Sequence, residues 1–356
     1  MPTIDEVARH MAVSTRSRRI RTAGSEDLDL LTLARGVFLE RSYLESFAQV
    51  WERNLVVDLA RIRAAVLRSR SGGVVHGESA ALLHGLPVHD QSGDVHLWTP
   101  HPPRTSASGL PAVRLPDGTV FPARRIIGHQ GWLPPGGSVL LAGIPSLTLE
   151  ATAITAAMTL PEERGFVITC GALNRLSRFE RSAQDRCRPV EARVRAELVA
   201  TVSLCPERTR GRARARRVLG SADAGCESVG EARLLAILKA AGIRGLVTQV
   251  VTTCGSTTYY VDIGIPGILL AIEFDGLAKY GDERGDIHRG YLARDRRQRE
   301  IEGLGVSFLR FTWADLDHPG QVVAVVRERI SRLSAGARRG SGAPDGRRPT
   351  VRTAHA

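Results

Sequence analysis

The sequence predicts an α+β protein (α/β in the broad sense) built from more than one domain. A chain of 356 residues usually folds into about two or three domains. Apolar residues make up 43% of the chain, an ordinary fraction for a protein with real cores. They recur at helical spacing in some segments and as short runs between turn residues in others. Helices and strands are therefore expected up to residue 333, whereas the Ser/Gly/Arg/Pro composition of 334–356 predicts a disordered basic tail.

The first 43 residues begin with a helix start signal. Thr3 and Glu6 have the spacing of a capping box, and Ile4, Val7 and Ala8 share one side of the helix that it opens. The other elements expected here are a helix over 15–23, a helix capped by Ser25 that carries Leu28, Leu30 and Leu31, and one strand over 33–39.

Helices followed by such a strand resemble the winged-helix start of AbiEi-type antitoxins, in which a run like Arg35-Gly-Val-Phe38 is typical. The resemblance implies a winged-helix-like DNA-binding module over 1–43. The phosphate contacts that we then expect are Arg16, Arg18, Arg19 and Arg21. Two alternatives stay open: a small helical cap with solvated arginines, and a surface for a protein partner.

The middle region, residues 44–220, predicts mixed α/β structure without catalytic residues. Its block 74–87 resembles the segment that follows the winged helix in antitoxin-like proteins. We assign His76 and His84 to the core, because no third ligand lies at metal spacing in the sequence. The expected elements are one amphipathic helix over 44–69, strands at 95–98 and 139–141, and a helix entered from 145.

Arginine is dense between residues 187 and 220. Placed on a helix, Arg210, Arg214 and Arg217 lie on one side, where they could follow a phosphate backbone. A solvated linker helix explains the same pattern, and both interpretations stay open.

The C-terminal region, residues 221–333, alternates helices with strands. The expected elements are a helix over 227–241, a strand over 246–251, a hairpin over 259–276 that turns at Pro266-Gly267, a helix over 286–302, a strand over 306–311 and a helix over 322–333. Phe311 and Trp313, next to the last strand, are expected in the core.

Three acids interrupt the apolar hairpin. Asp262 lies in its first strand, whereas Glu273 and Asp275 end its second strand and share one face, because side chains alternate along a strand. A buried, unpaired carboxylate is costly, but a divalent cation makes such a cluster tolerable, and Mg²⁺ prefers hard oxygen ligands. The acids therefore predict a metal site; an exposed strand end is the alternative.

The order of elements and several short motifs resemble the PD-(D/E)XK nuclease superfamily, in the branch close to the very-short-patch repair endonucleases. The matching motifs are Gly230-Glu231, Val261-Asp262, Ile272-Glu273-Phe-Asp275-Gly276, Arg294-Asp295-Arg-Arg-Gln298 and Val306-Ser-Phe-Leu-Arg310-Phe311-Thr312. They cover about the last third of the chain. The resemblance implies a restriction-endonuclease-like αβββαβ domain over 221–333 and Mg²⁺- or Mn²⁺-dependent cleavage of DNA.

The resemblance also implies roles for individual residues. Asp262 and Glu273 would bind the metal, with Glu231 reaching in from the preceding helix and Glu227, four residues earlier, as a second candidate. The superfamily normally has a lysine two residues after the second acid, where this chain has Asp275. Lys279 is the expected substitute, with His288 and Arg294 as weaker ones.

The net charge of +12 suits a polyanionic partner such as DNA. No apolar run approaches the length of a membrane span, and the five scattered cysteines suggest neither a disulfide nor a zinc site. A reducing cytoplasm is therefore expected. Two functions stay open: a metal-dependent DNA endonuclease guided by the N-terminal module, and a DNA-binding regulator, or antitoxin-like repressor, that does not cleave.

Overall fold

The computed structural model describes residues 1–13, 29–69, 72–89, 93–100, 109–276, 295–340 and 351–352. The chain forms two units, one of residues 1–168 and 198–216 and the other of residues 169–197 and 217–356. Both units mix helices with sheets, so the predicted α+β multi-domain class is confirmed at that level. The finer division at 43, 220 and 333 stays a prediction.

The described residues form helices between Ile4 and Gly340. They are α1 (Ile4–Arg9), α2 (Arg41–Glu45), α3 (Val50–Arg68), α4 (Gly77–Leu83), α5 (Leu149–Thr159), α6 (Glu162–Ser177), α7 (Gln184–Ser203), α8 (Arg212–Ser221), α9 (Val229–Ala240), α10 (residues 295–302), α11 (Trp313–Leu316) and α12 (Pro319–Gly340), with 3₁₀ turns at Arg181–Ala183 and Pro266–Ile268.

The strands of the described residues span two to nine residues. They are β1 (Met11–Val13), β2 (Leu30–Ala34), β3 (Val37–Glu40), β4 (Val74–Val75), β5 (Val95–Trp98), β6 (Gly109–Leu110), β7 (Val113–Arg114), β8 (Val120–Phe121), β9 (Arg124–His129), β10 (Ser138–Leu141), β11 (Ile144–Leu147), β12 (Val247–Cys254), β13 (Thr257–Ile265), β14 (Leu270–Asp275), β15 (Ser307–Thr312) and β16 (Val351–Arg352).

The first unit contains a small three-stranded sheet of order β1-β3-β2, a six-stranded sheet of order β10-β11-β4-β5-β9-β6 and the β7-β8 pair. Its core is mostly aliphatic and includes one face of α3. Arg61 on α3 is nevertheless buried, because its guanidinium donates to the carbonyls of Pro111, Phe121 and Pro122 at 2.8–3.3 Å. Paired in this way, a buried cation is tolerated.

The N-terminal helix starts where the sequence predicts. The amide of Glu6 donates to Thr3 Oγ1, and Thr3 N donates to Glu6 Oε2 at 2.8 Å, which completes the capping box. The single strand expected over 33–39 is wrong: the chain turns at Arg35-Gly36, with Gly36 at a φ of +76°, and makes two strands.

Three other predicted elements are corrected. Leu30 and Leu31 lie in β2 and not in a helix, because they pair with β3. The helix expected over 44–69 is two helices, interrupted where Gln49 takes an extended conformation. The helix entered from 145 begins only after Thr148, since Ile144–Leu147 pairs with β10 as a strand. The helix expected over 15–23 lies outside the described residues.

The second unit has one sheet of order β15-β14-β13-β12-β16. The predicted hairpin is confirmed: β13 and β14 pair antiparallel around Pro266–Ile268, and β14 then pairs parallel with β15. Ile263, Ile265, Leu270 and Ile272 are buried in these strands. The sheet therefore gives the acids of the hairpin a rigid apolar support.

The C-terminal elements extend further than predicted. Helix α12 continues to Gly340, through alanine and arginine residues that favour helix. Val351–Arg352 pairs with β12, inside the tail that we expected to be disordered. None of the described helices is long and apolar enough to cross a bilayer, and the five cysteines are free thiols in the described residues.

Candidate active site

A cavity of about 600 Å³ lies in the second unit, over the ends of β13 and β14. The four predicted acids Glu231, Asp262, Glu273 and Asp275 line the same cavity. The other residues of its wall are Arg181, Glu227, Ser228, Thr258, Tyr259, Tyr260, Phe274, Gly276, Arg297, Arg310 and Trp313. Acids that are up to 44 residues apart in sequence therefore share one opening.

Helix α9 brings Glu231 to the cavity. Ser228 caps the helix, its hydroxyl accepting from Glu231 N at 3.2 Å and donating to Glu231 Oε1 at 2.7 Å. Glu231 Oε2 accepts from Glu227 N at 2.8 Å. Gly230 allows the helix to approach β14, because a Cβ there would lie 2.0 Å from the ring of Phe274. The start of α9 is thus fixed against the strand that carries Glu273.

Asp262 and Glu273 lie on neighbouring strands. The last pair of the β13–β14 ladder is Ile263 with Ile272, so the same register aligns Asp262 with Glu273 one step further. Phe274 N donates to Asp262 Oδ2 at 3.0 Å. Burial, and then the charges of Glu231 and Glu273, raise the pKa of Asp262 to about 8. The cavity therefore disfavours the ionised form of this desolvated carboxyl group.

Glu273 has positive partners of its own. It is 5% exposed; Arg297 Nη2 donates to its Oε1 at 2.7 Å and Arg310 Nη2 to its Oε2 at 3.2 Å. Arg310 is its neighbour across the parallel β14–β15 ladder. Both carboxylate oxygens of Glu273 are therefore engaged by guanidinium groups.

Carboxylate oxygens line the cavity, and such hard oxygen ligands suit a hard divalent cation. Their negative charges also make ionisation of Asp262 less favourable. The arrangement of these carboxylates is not that of a ready metal site. Among the described residues, no group of three or more His, Cys, Asp or Glu side chains is placed to hold a metal ion. A cation bound at Glu273 has to share this carboxylate with Arg297 and Arg310, or displace one of them.

Some predicted site residues are not where the sequence suggested. Glu227 precedes the cap of α9 instead of sharing its face, and its side chain pairs with Arg181 at 3.3 Å. Lys279, His288 and Arg294, the substitutes for the lysine, lie outside the described residues.

Other residues of the site were missed. Arg297 and Arg310 belong to motifs that the sequence shows, but their contact with Glu273 requires the sheet register and the position of α10. Trp313 was expected in the core, yet it is 40% exposed on the cavity wall and packs edge-on against Phe274 at 4.9 Å. Phe311, by contrast, is buried as predicted.

The arginine cluster of residues 208–217 differs from the predicted helix face. Helix α8 begins only at Arg212, so Arg210 lies in the preceding turn. Arg214 donates to the carbonyls of Ala157 and Met158 and is held in the fold. Arg208, Arg210 and Arg216 are exposed and line a cavity of about 440 Å³. Arg217, on α8, is exposed as well. The N-terminal set of Arg16, Arg18, Arg19 and Arg21 lies outside the described residues.

His76 is a buried core residue, as predicted, but it has histidine neighbours that the sequence did not indicate. Its ring stacks on His129 at 4.7 Å, and His129 Nε2 lies 2.8 Å from His96 Nδ1. Burial is the main cause that lowers the pKa of His76 to about 3 and of His96 to about 4. His84 lies apart and contacts the carbonyl of Leu147 at 2.8 Å.

We expect acid to destabilise the first unit through these histidines. The folded state binds fewer protons than the unfolded chain, whose histidines titrate near 6.5. Their contribution is therefore complete above pH 6.5 and decreases as the pH falls towards about 4. In thermal unfolding followed by circular dichroism between these pH values, His76→Phe should lose less stability than the parent. Parallel pH profiles for the two proteins would contradict the assignment.

We compared the chain with protein-family models, with curated proteins and with solved structures, and none of them matches it.

Proposed function

We propose that the protein is a metal-dependent DNA endonuclease whose active site is the cavity of the second unit. The observation that supports this most is the gathering of Glu231, Asp262 and Glu273 around one opening, where burial and then the charges of the other two acids raise the pKa of Asp262. Strongly perturbed acids in a cleft are typical of functional sites. The resemblance of the sequence to the nuclease superfamily agrees with this function, but it is a fold-level analogy.

In this proposal Asp262 and Glu273 hold Mg²⁺ or Mn²⁺, with Glu231 as a further acid nearby. A bound divalent cation supplies activated water and stabilises charge on the scissile phosphate. The chain contributes fixed carboxylates, because β13 and β14 are paired and Gly230 lets α9 pack closely against Phe274 of β14. Asp275 stands on the same wall, so its carboxylate adds negative charge where the superfamily has a lysine.

The cavity also has groups that suit nucleic acid. Trp313 is 40% exposed on the cavity wall, and base stacking on aromatic side chains is common in nucleic-acid binding. Arg181 and Arg297 lie on the same wall near the rings of Tyr260 and Tyr259, at 5.3 and 5.9 Å. The cavity wall therefore offers arginine side chains for a phosphate group and aromatic rings for a base.

The test is a cleavage assay on supercoiled and mismatched DNA with Mg²⁺, with Mn²⁺ and with a chelator. We expect nicked or linear product only with metal. If the full-length protein binds DNA with nanomolar or micromolar affinity but leaves it intact with both ions, the endonuclease proposal is wrong.

A second function is favoured by the neutralisation of Glu273. Two arginines already balance this carboxylate, and no lysine follows it at the usual position, which suits a domain that binds DNA without cutting it. The helix–strand–hairpin order at the N-terminus supports the same regulator, because β1 pairs with β3 and β3 with β2, as in winged-helix modules. Binding without cleavage in the assay above is the expected result for this function.

Both functions need contacts to phosphate, and we test the three exposed arginines that share one cavity, Arg208, Arg210 and Arg216. Replacing all three with alanine should flatten the dependence of log affinity on log salt by about 2–3, since each phosphate contact contributes about 0.9. The measurement is fluorescence anisotropy of a labelled duplex across a salt series.

The matched control removes equal charge elsewhere. Arg193, Arg296 and Arg332 are exposed and each pairs with a glutamate four residues away. Their triple replacement should leave the salt slope within error of the parent. Equal slopes for both triple variants would mean that this cluster does not contact DNA, and would leave the N-terminal arginines as the phosphate contacts to be tested.

A further inference from the structure

The two arginines on Glu273 are held in different ways. Arg310 is part of β15 and faces Glu273 across the ladder, so the sheet fixes its position. Arg297 comes from α10, and its Nη2 donates both to Glu273 Oε1 at 2.7 Å and to the carbonyl of Tyr260 at 2.5 Å. Arg297 therefore connects the two strands of the hairpin through one nitrogen.

The guanidinium of Arg297 lies beside the carboxylates that, in the proposed function, would bind the metal ion. Tyr260 belongs to β13, the strand of Asp262, and Glu273 belongs to β14. A guanidinium that spans these strands provides positive charge beside a group of acids that would otherwise repel one another. The side chain of Arg297 is 29% exposed, so it can move towards solvent without leaving a buried cation unpaired.

We propose that Arg297 is the counter-ion of Glu273 in the metal-free protein and competes with the divalent cation for this carboxylate. The inference rests on the proposed function, because it requires that Asp262 and Glu273 bind a cation. Arg297 is a positioning residue in this scheme: it keeps Glu273 ordered while no metal is bound, and it weakens metal binding.

The experiment is calorimetric titration of the full-length protein with Mn²⁺ in the absence of DNA. Removing a charge-assisted hydrogen bond to a carboxylate frees that carboxylate, so Arg297→Ala should bind Mn²⁺ about tenfold more tightly than the parent. Arg297→Lys keeps the charge but lacks the planar fork, and should fall between the two. Thermal unfolding of each variant checks that it is folded.

Two controls separate the possible failures. Arg296→Ala removes the same charge from the neighbouring position, where the side chain is 80% exposed and pairs with Glu300, and should bind like the parent. Asp262→Asn should lose the binding heat. If Arg297→Ala binds no more tightly than the parent while Asp262→Asn loses binding, competition by Arg297 is refuted and the metal site stands. If neither the parent nor Arg297→Ala binds Mn²⁺, the metal site itself fails, and the competition fails with it.

Discussion

Asp262→Asn should reduce metal-dependent cleavage by at least about a hundredfold. Losing a residue that only orients a metal ligand costs up to about a hundredfold, and losing the ligand itself should cost more. The amide is nearly the same size and can still accept from Phe274 N through its oxygen. What it removes is the negative charge that we assign to metal binding. Cleavage by the variant at the parental rate would show that Asp262 is not a ligand.

The same variant should not lose stability. Because the pKa of Asp262 is raised to about 8 in the fold, its carboxyl group favours unfolding as the pH rises from about 4 and does so fully above pH 8. Asp262→Asn should therefore melt at the same temperature as the parent near pH 4 and at a higher one near pH 8. Glu180→Gln, at an exposed acid of the same unit whose side chain makes no capping hydrogen bond, is the control and should change neither melting nor cleavage. A lower melting temperature at pH 8 would contradict this electrostatic picture.

Arg188→Ala should destabilise the second unit by about 3–5 kcal/mol, the cost of removing one partner from a buried ion pair. Arg188 Nη1 donates to Glu191 Oε2 at 2.7 Å and to Asp223 Oδ1 at 2.8 Å, and its Nη2 donates to Thr248 Oγ1 at 2.8 Å. Burial opposes ionisation of Asp223, yet Arg188 holds its pKa at about 2. Without the guanidinium, the carboxylates of Glu191 and Asp223 stay in the fold and lose the positive charge that Arg188 supplies.

The control for Arg188 lies on the same helix. Arg193 pairs with Glu197 at 3.8 Å, and both side chains are about 70% exposed. Arg193→Ala should change the free energy of unfolding by less than about 1 kcal/mol, since solvent screens exposed pairs. Chemical denaturation of the two variants and the parent gives the comparison. Similar losses for both would mean that the buried cluster contributes no more than an ordinary surface pair.

The hairpin and its acids could be predicted because their signal is local. Alternation along Ile268–Gly276 and the Pro266-Gly267 turn specify the strands, and the register then brings Asp262 beside Glu273. The helix predicted over 227–241 is also present as α9, although it begins at Val229, after a Ser228 cap that was not predicted. Short-range patterns of this kind act within one or two elements.

The rest depends on tertiary contacts that a single sequence does not reveal. Arg61 is buried among backbone carbonyls although arginine is usually exposed, and Arg297 meets Glu273 only because of where α10 lies. Trp313 is apolar, so a core position was the natural expectation, but the cavity opens beside it. The break between α2 and α3 also has no strong local signal, because apolar residues at helical spacing continue through it.

The parallel pairing of β14 with β15 has a consequence for the order of events during folding. Asp262 and Glu273 come together through a hairpin of neighbouring strands, whereas Arg310 is 37 residues from Glu273 in the chain. Local hairpins close faster than contacts that require a long loop, because the loop must lose more conformational freedom. The acids are therefore expected to meet before Arg310 arrives. Salt that screens their repulsion should speed this early step.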